Sequence, residues 1–242
     1  MLRNPNTGNS LVLDKEELID NITGERFSIR NGIPVILRKD DVLGWNRKQQ
    51  RNYDLFSPLY DAIFKFNIWN VKKWLAEIAE IIIINSGDHV LETAVGTGQQ
   101  FRNFHENGVE AHFFGNDISY GQLLRCKKNM QKWQIDLGLV QGNAQSLPFK
   151  DELFDVVFHT GSFNFFDDKE LTIHEMIRVT KPGGSIYISD ESAEFKEKST
   201  FIGRLMPKSD SGAYEPPLNL IPKEMIEIKT EKIWDDKFWI LS

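Results

Sequence analysis

The sequence contains very little cysteine, since Cys126 is the only one among 242 residues. A single thiol excludes both a disulfide within the chain and a zinc site built from cysteine pairs. Long apolar runs are also missing: the most apolar stretch, residues 75–84, includes Glu77 and Glu80 and is far shorter than the ~20 residues of a membrane-spanning helix. The first ten residues lack the apolar core of a signal peptide. These absences predict a soluble, cytoplasmic protein without a membrane span.

An excess of positive charge is absent as well. The chain has 29 basic and 35 acidic side chains, a net charge of −6. Proteins that bind nucleic acid usually carry a basic surface, so the balance argues mildly against such a partner. The chain is 40% hydrophobic, too apolar for a disordered protein. Its length suits one sizeable α/β domain with a small appendage.

The first part of the chain, residues 1–40, is predicted to be a small β-rich unit. Its short apolar runs at 11–13, 27–29 and 33–37 are separated by turn residues, which predicts two or three strands. A unit of this size without disulfides needs a neighbour for stability. We therefore expect it to pack on the rest of the chain.

Residues 41–242 are predicted to form the main domain. It divides into a helical cover (41–86), an alternating core (87–191), an insert or lid (192–222) and a terminal strand pair (223–242). In the core, strands are expected at residues 89–95, 112–116, 137–141, 154–160 and 185–189. Strands that alternate with helices predict a parallel sheet with right-handed connections.

Helices are predicted between these strands. The spacing of apolar residues indicates helices over 68–85 and 99–107. Ser119 and Gln122 have the spacing of a capping box, which predicts a helix from there to residue 133. Asp167 with Glu170 predicts the start of another helix, which ends near Thr180.

The residues that suggest chemistry follow the ends of the predicted strands, where open parallel sheets bind ligands. Each of these residues also has a purely structural interpretation, as a turn or a helix cap. Their shared position at one sheet edge favours a binding site. They are the Gly96-Thr97-Gly98 turn, Asp117, Asn143 and the His159-Thr160 pair.

Two nucleoside cofactors suit such an edge. A dinucleotide site needs a third glycine in Gly-x-Gly-x-x-Gly, and Phe101 occupies that position. S-adenosylmethionine has no pyrophosphate and carries positively charged groups, which suit the acidic Glu92 inside the first core strand. The spacing therefore favours S-adenosylmethionine over NAD.

With these motifs the chain resembles the class I S-adenosylmethionine-dependent methyltransferases, in particular the branch of the ubiquinone/menaquinone C-methyltransferases. The similarity covers roughly residues 50–190, and the family resemblance implies a Rossmann-like α/β fold. Its seven-stranded sheet would have the order 3-2-1-4-5-7-6 with strand seven antiparallel. The segments that match are HVLETAVGTGQQ, GNDIS, QGNAQSLPFKDELFDVVF and HEMIRVTKPGGSIYISD.

The resemblance also implies roles for individual residues. Glu92, Ala94, Gly96, Thr97 and Gly98 would surround the methionine part of the cofactor. The remaining roles concern its other parts: Asp117 would hold the ribose hydroxyls, Ile118 would pack on adenine, Asn143 and Ala144 would contact the adenine edge, and His159 or Thr160 would lie below the reacting end. The chain departs from the family at Glu92 and Asn143, where aspartate is usual, and at Ala94, where glycine is usual.

Residues 10–38 resemble the zinc-ribbon unit of the tRNA-methyltransferase activator family. The cysteines that would bind the metal are missing from this segment. We therefore expect a scaffold that holds no metal.

The predicted function is methyl transfer to a small molecule by in-line displacement. His159 is the leading candidate for a general base, although a histidine at a strand end is often structural. Tyr53 and Tyr60 are seven residues apart and suggest either a lid over the cofactor or plain aromatic packing.

The acceptor is expected to be lipophilic or aromatic, because aromatic residues such as Trp45, Phe163, Phe165 and Phe166 cluster around the predicted pocket. Two rival functions stay open. The chain could bind the cofactor without catalysis, as a scaffold, or act as an NAD-dependent reductase. The sequence does not indicate which oligomeric state the protein has.

Overall fold

The structure, a computed structural model, describes residues 1–37, 71–192 and 214–242. The predicted lid tyrosines Tyr53 and Tyr60, together with Trp45, lie outside the described residues. Most of the predicted insert, residues 192–222, also lies outside the described residues.

The first 37 residues form a separate antiparallel sheet, here called the N-terminal β unit. Its four strands lie side by side in chain order, whereas two or three were expected. The strand that was not predicted is Glu17–Asp20, which pairs antiparallel with both of its neighbours. The strands are β1 (Leu11–Asp14), β2 (Glu17–Asp20), β3 (Arg26–Arg30) and β4 (Ile33–Pro34).

The remaining strands form one seven-stranded sheet. They are β5 (His89–Thr93), β6 (His112–Asp117), β7 (Leu137–Gln141), β8 (Phe154–Thr160), β9 (Thr180–Glu191), β10 (Thr230–Ile233) and β11 (Phe238–Leu241). The order is β7-β6-β5-β8-β9-β11-β10, and β11 runs antiparallel to both of its neighbours. Numbered from the first core strand, this is 3-2-1-4-5-7-6, so the predicted fold and strand order are confirmed.

Four α-helices connect or flank these strands within the described residues: α1 (Val71–Ile81), α2 (Gln99–Glu106), α3 (Tyr120–Trp133) and α4 (Lys169–Val179). None of the helices in the described part of the chain is long and apolar enough to cross a bilayer. The same residues contain no cluster of three or more histidine, cysteine or acidic side chains that could bind a metal ion.

Several predicted boundaries were wrong by a few residues. Helix α1 ends at Ile81, because the chain then enters a turn in which Asp88 accepts a hydrogen bond from the Asn85 N–H. Helix α4 begins after Asp168, not Asp167, because the Asp168 carboxylate accepts from the Leu171 N–H at 2.8 Å.

Strand β9 begins at Thr180 instead of residue 185. Thr180 already pairs with Phe154, and a register shift follows between Phe154 and Val156. A Cβ at Gly184 would lie 2.7 Å from the Asp155 carbonyl oxygen. Glycine therefore allows the backbone to approach closely enough to continue the strand across the irregularity.

Apolar clusters cover both faces of the large sheet. On one face, α1, α2 and α3 pack on β5 and β8 around residues such as Trp74, Phe101 and Phe158. On the other face, α4 and the N-terminal β unit pack on the same strands around Val157 and Ile173. We call these the α1 face and the α4 face. Because strand residues alternate between them, each strand-end side chain can be assigned to one face.

The N-terminal β unit joins the free edge of β7. Val35 forms a parallel bridge with Gln141, and the Ile36 N–H donates to the Gln141 carbonyl at 2.8 Å. Buried Leu18, Phe27 and Ile36 belong to the same apolar cluster as the α4 face of the sheet. The expected packing of this segment on the main sheet is therefore present.

Candidate functional site

Four polar side chains end neighbouring strands on the α1 face. They are Glu92 near the end of β5, Asp117 at the end of β6, Thr160 at the end of β8 and Glu191 at the end of β9. Each alternates in register with apolar residues that pack beneath α1, α2 or α3. The carboxyl edge of the sheet thus carries three acids on one side.

A tight turn follows β5 and opens the site. Ala94, Gly96 and Gly98 all have left-handed backbone conformations, with φ of 54°, 55° and 77°. A Cβ at Gly98 would lie 2.6 Å from Met130 Cε and 2.8 Å from Cys126 Sγ, whereas one at Gly96 would meet nothing within 4 Å. Gly98 therefore lets α2 begin against α3, and Gly96 leaves open space where a ligand could approach the backbone.

Asp117 ties three loops together. Its Oδ2 accepts from the Gly96 N–H at 2.9 Å, and its Oδ1 accepts from the Ser119 N–H at 2.8 Å. Its carbonyl oxygen accepts from the Gly142 N–H at 3.1 Å. A carboxylate has about four lone-pair positions, so it can accept several hydrogen bonds at once.

Only one of the two hydrogen bonds of the predicted Ser119–Gln122 capping box is present. Ser119 does cap α3, since its side chain accepts from the Gln122 N–H at 3.1 Å. The reciprocal position is different, because the Ser119 N–H donates to Asp117 instead of the Gln122 side chain. The strand end and the helix start are therefore joined through one carboxylate.

Glu92 is a buried acid with one oxygen in use. Thr160 Oγ1 donates to Glu92 Oε1 at 2.7 Å, and Oε2 is buried without a hydrogen-bond partner. Burial raises the pKa of Glu92 to about 8, and the negative charge of Asp117 adds to the rise. The carboxyl is therefore protonated at neutral pH until a donor or a cation reaches it.

In the loop after β7, Asn143 has a structural role. Asn143 Oδ1 accepts from the Gln145 N–H at 2.9 Å and caps the 3-10 helix Ala144–Ser146. Gln141 Nε2 donates to the Ile118 carbonyl at 2.8 Å and links this loop to the one after β6. Ala144 is buried and Ile118 is half-buried. The loop thus lies directly beside Asp117.

Thr97 is also buried in the turn after β5. Its carbonyl accepts from Asn129 Nδ2 of α3 at 3.1 Å. The turn residues from Ala94 to Gly98, Asp117 and the Asn143–Ala144 loop are therefore held together by backbone and side-chain hydrogen bonds, as their shared sheet edge suggested.

His159 is not brought to the same place. It is fully buried, and its Nδ1 lies 2.8 Å from the Thr93 carbonyl. Its ring packs against Phe166 at a centroid distance of 5.0 Å, on the α4 face and opposite Thr160. Burial lowers the pKa of His159 to about 4. The side chain is a neutral core histidine on the face opposite to the one that carries Glu92 and Asp117.

Sequence reasoning missed two acids at the end of β9. Asp190 is buried on the α4 face and accepts from the N–H groups of Ser162 and Asn164 at 3.2 and 2.5 Å. Burial raises the pKa of Asp190 to about 6. Glu191 points to the α1 face. The available signal was their position directly after a core strand, which is also the position of Asp117.

Comparison with known proteins agrees with this architecture. A sequence profile described as a methyltransferase domain matches residues 91–188. A demethylmenaquinone methyltransferase of Listeria welshimeri is 30% identical over 152 residues, which is 60% of this chain and 63% of that protein. One of Paenarthrobacter aurescens is 28% identical over 141 residues, 58% of this chain and 53% of that protein. The chain thus matches less than two thirds of the length of these relatives.

Solved structures show the same fold. A protein of Methanococcus maripaludis, described as an S-adenosyl-L-methionine-dependent methyltransferase, superimposes with a TM-score of 0.59 at 20% identity and covers 82% of this chain and 93% of its own. The [4+2]-cyclase SpnF superimposes with a TM-score of 0.52 at 22% identity over 58% of each chain.

The strand order, the antiparallel seventh strand and the profile match together define a class I methyltransferase domain of Rossmann-like fold, and residues 91–188 belong to it. Within that class, the chain is similar to the demethylmenaquinone methyltransferases. The resemblance inferred from the sequence motifs is confirmed.

Proposed function

We propose that this chain transfers a methyl group from S-adenosylmethionine to a small lipophilic or aromatic acceptor. The observation that carries the proposal is the open space at Gly96, whose N–H donates to the Asp117 carboxylate, together with the buried, unpartnered Oε2 of Glu92 on the same face of the sheet. A bulky anion-binding loop is not needed there, because this donor has no pyrophosphate.

The residues present fit this donor. Glu92 Oε2 is a buried acceptor that lacks a donor, and the positively charged methionine end of the donor would supply one. Asp117 would accept hydrogen bonds from the ribose hydroxyls. Ala94, Thr97 and Gly98 would line the methionine part, while Ile118, Asn143 and Ala144 would line the adenine. Thr160 would act through Glu92, and Tyr53 and Tyr60 would cover the site.

The donor supplies a methyl group already activated by its sulfonium. The chain therefore needs mainly to position the two reactants and to exclude water. Alignment of two bound reactants can lower the barrier by about 7–11 kcal/mol in favourable cases. The hydrogen bonds of Asp117 to Gly96 and Ser119 hold the edge rigid for this purpose. The buried wall around Trp74 excludes water from the same edge.

The acceptor class follows from the aromatic wall and from the relatives. The relatives' names state that they methylate demethylmenaquinone, a ring compound that suits a site lined by Trp74 and Phe238. We propose an aromatic quinol-type acceptor for this chain on the same grounds.

Calorimetry with S-adenosylmethionine, S-adenosylhomocysteine and NAD tests the proposal. We expect the first two to bind and NAD not to bind. Asp117→Ala should weaken binding about tenfold or more, since a charge-assisted hydrogen bond contributes about 1.5–3 kcal/mol. Asp136→Ala is the matched control, because Asp136 is exposed before β7.

The outcomes separate the three functions. Binding of NAD alone would indicate a reductase. Binding of S-adenosylmethionine without transfer of a labelled methyl group to any compound of a cell extract would indicate a scaffold. Unchanged affinity in Asp117→Ala would overturn the site.

A further inference from the structure

Glu191 lies at the carboxyl edge of the sheet, on the α1 face that also carries Glu92 and Asp117. It is the last residue of β9, and its partner across the strands is Phe238 on β11. Two residues earlier, Ser189 pairs with Thr160 on β8. Glu191 therefore lies on the same face of the sheet as Thr160 and two residues further toward the carboxyl ends of the strands.

An aromatic wall surrounds this position. The Phe238 ring packs on Trp74 of α1 at a centroid distance of 4.6 Å. A Cβ at Gly161, directly after Thr160, would lie 3.4 Å from the Trp74 ring. Trp74 thus reaches from the end of β8 to the start of β11. The half-buried Glu191 lies beside this apolar surface, which suits a flat ring.

The nearby cations are engaged elsewhere. Lys237 lies 3.6 Å from Asp235 and 5.0 Å from the Trp234 ring centroid. Lys73 of α1 lies 2.8 Å from Asp235 and 3.6 Å from Glu77. Glu77 in turn accepts from the Trp234 N–H.

Asp190 and Glu92 point away from Glu191 or are in use. Asp190 faces the opposite side, where backbone N–H groups occupy both its oxygens. Glu92 accepts a hydrogen bond from Thr160.

Within the described residues, no cation pairs with Glu191. Burial, together with the negative charge of Asp190, raises the pKa of Glu191 to about 7.

We propose that Glu191 is the catalytic base that takes the proton of the acceptor. The inference rests on the proposed function. The acceptor nucleophile attacks the methyl carbon, the carbon–sulfur bond breaks with its electron pair on sulfur, and the proton of the acceptor passes to the Glu191 carboxylate. The products are methylated acceptor, S-adenosylhomocysteine and a protonated carboxyl, which balances charge and atoms. Quinols are the acceptor class that needs such a base, whether the methyl group goes to an ionisable ring hydroxyl or to the adjacent ring carbon.

The test uses the full chain, tritium-labelled S-adenosylmethionine and a cell extract supplemented with dithionite-reduced demethylmenaquinone. At pH 8, Glu191→Gln should lose about 10²–10⁴-fold in rate, the usual contribution of a general base. The wild-type rate should rise about tenfold per pH unit up to pH 7 and stay level above it. Affinity for S-adenosylhomocysteine should be unchanged. Glu231→Gln is the matched control, an exposed glutamate on β10.

A second readout does not depend on activity. Carbon-13 NMR of glutamate carboxyls should show one group that titrates near pH 7 and that is missing in Glu191→Gln. A full rate in Glu191→Gln, or no such titration in the wild type, would overturn the inference alone. A wild-type chain that binds S-adenosylhomocysteine but labels no acceptor, or that does not bind it, would overturn the proposed function and the inference with it.

Discussion

Gly98 shows how a single residue can meet two structural demands at once. Its φ of 77° is in the left-handed region, which other residues adopt at a cost of about 1–2 kcal/mol. Its missing side chain also leaves room for Met130 and Cys126 of α3, both within 2.8 Å of where a Cβ would lie. The lone cysteine of the chain therefore lies directly behind the turn that opens the site.

We expect Gly98→Ala to destabilise the chain by the conformational cost plus about 1–3 kcal/mol for overpacking. Gly108→Ala is the matched control, because Gly108 has a φ of 75° and open space around it. Urea unfolding of both variants measures the difference. Equal losses in the two variants would show that α3 moves freely and that packing behind the turn is unimportant.

Individual site residues could be predicted where a local motif specifies them, and not where their orientation depends on the sheet. The Gly96-Thr97-Gly98 turn and Asp117 could be predicted from their positions after core strands, and Ala94 from the family resemblance. The direction of His159 does not, because neighbouring strand residues point to opposite faces and only the packing of α1 and α4 shows which face is which. For the same reason the roles of Asp190 and Glu191 were missed.

At the scale of elements, the N-terminal β unit is held by a buried carboxylate. Asp20 accepts hydrogen bonds from side chains of the preceding loop and from backbone N–H groups of its own turn: Asn4 and Thr7 at 2.8 Å, Asn9 at 3.1 Å, and the N–H groups of Ile22 and Thr23 at 3.0 and 3.2 Å. This carboxylate joins two loops in a segment whose sequence resembles a metal-binding ribbon without its cysteines.

We expect Asp20→Ala to remove hydrogen-exchange protection from β2 and β3. Burial alone would raise the pKa of Asp20, but the hydrogen bonds from Thr7 and Asn4 outweigh it and lower the pKa well below its ordinary value. The stabilisation is therefore present above the unfolded pKa of about 3.9 and is lost as the pH falls below it.

The control for Asp20 is Asp14→Ala. Asp14 is exposed and pairs with Arg26 at 3.7 Å, so its loss should leave protection unchanged. Protection that survives in Asp20→Ala, or that is constant from pH 6 to pH 3 in the wild type, would contradict the role of the carboxylate.

Element type and order could be predicted well from the sequence, and element ends less well. The alternation of apolar strands with helices predicts a parallel sheet, and the family resemblance implies the strand order that the structure has. The start of β9 was missed because Lys181, Pro182, Gly183 and Gly184 indicate a turn locally, whereas pairing of Thr180 with Phe154 continues the strand through them.

The whole molecule unites its two sheets through a shared core. Leu18, Phe27 and Ile36 pack in the cluster that also contains Val140 and Phe149. The Lys150 N–H donates to the Met1 carbonyl at 3.0 Å. The N-terminal β unit is therefore bound at the edge of β7 by both backbone and apolar contacts.

We expect calorimetry of the full chain to show one unfolding transition, because the apolar residues of the N-terminal β unit share one cluster with those of the α4 face. Removal of residues 1–37 should lower the Tm of the remaining chain, since it exposes the β7 edge and the apolar residues beneath it. Two separate transitions, or an unchanged Tm after truncation, would show that the contacts contribute little.

The bridge between Val35 and Gln141 has a consequence for synthesis. Residues 1–37 are made about a hundred residues before β7, the strand that receives them. During that interval the strand edge and the residues of β7 and β8 on which the N-terminal β unit packs have not been made. Closing this contact requires joining segments far apart in sequence, and such contacts form slowly. The docking step should therefore be late in folding, and the nascent chain should depend on protection from aggregation until β7 has emerged.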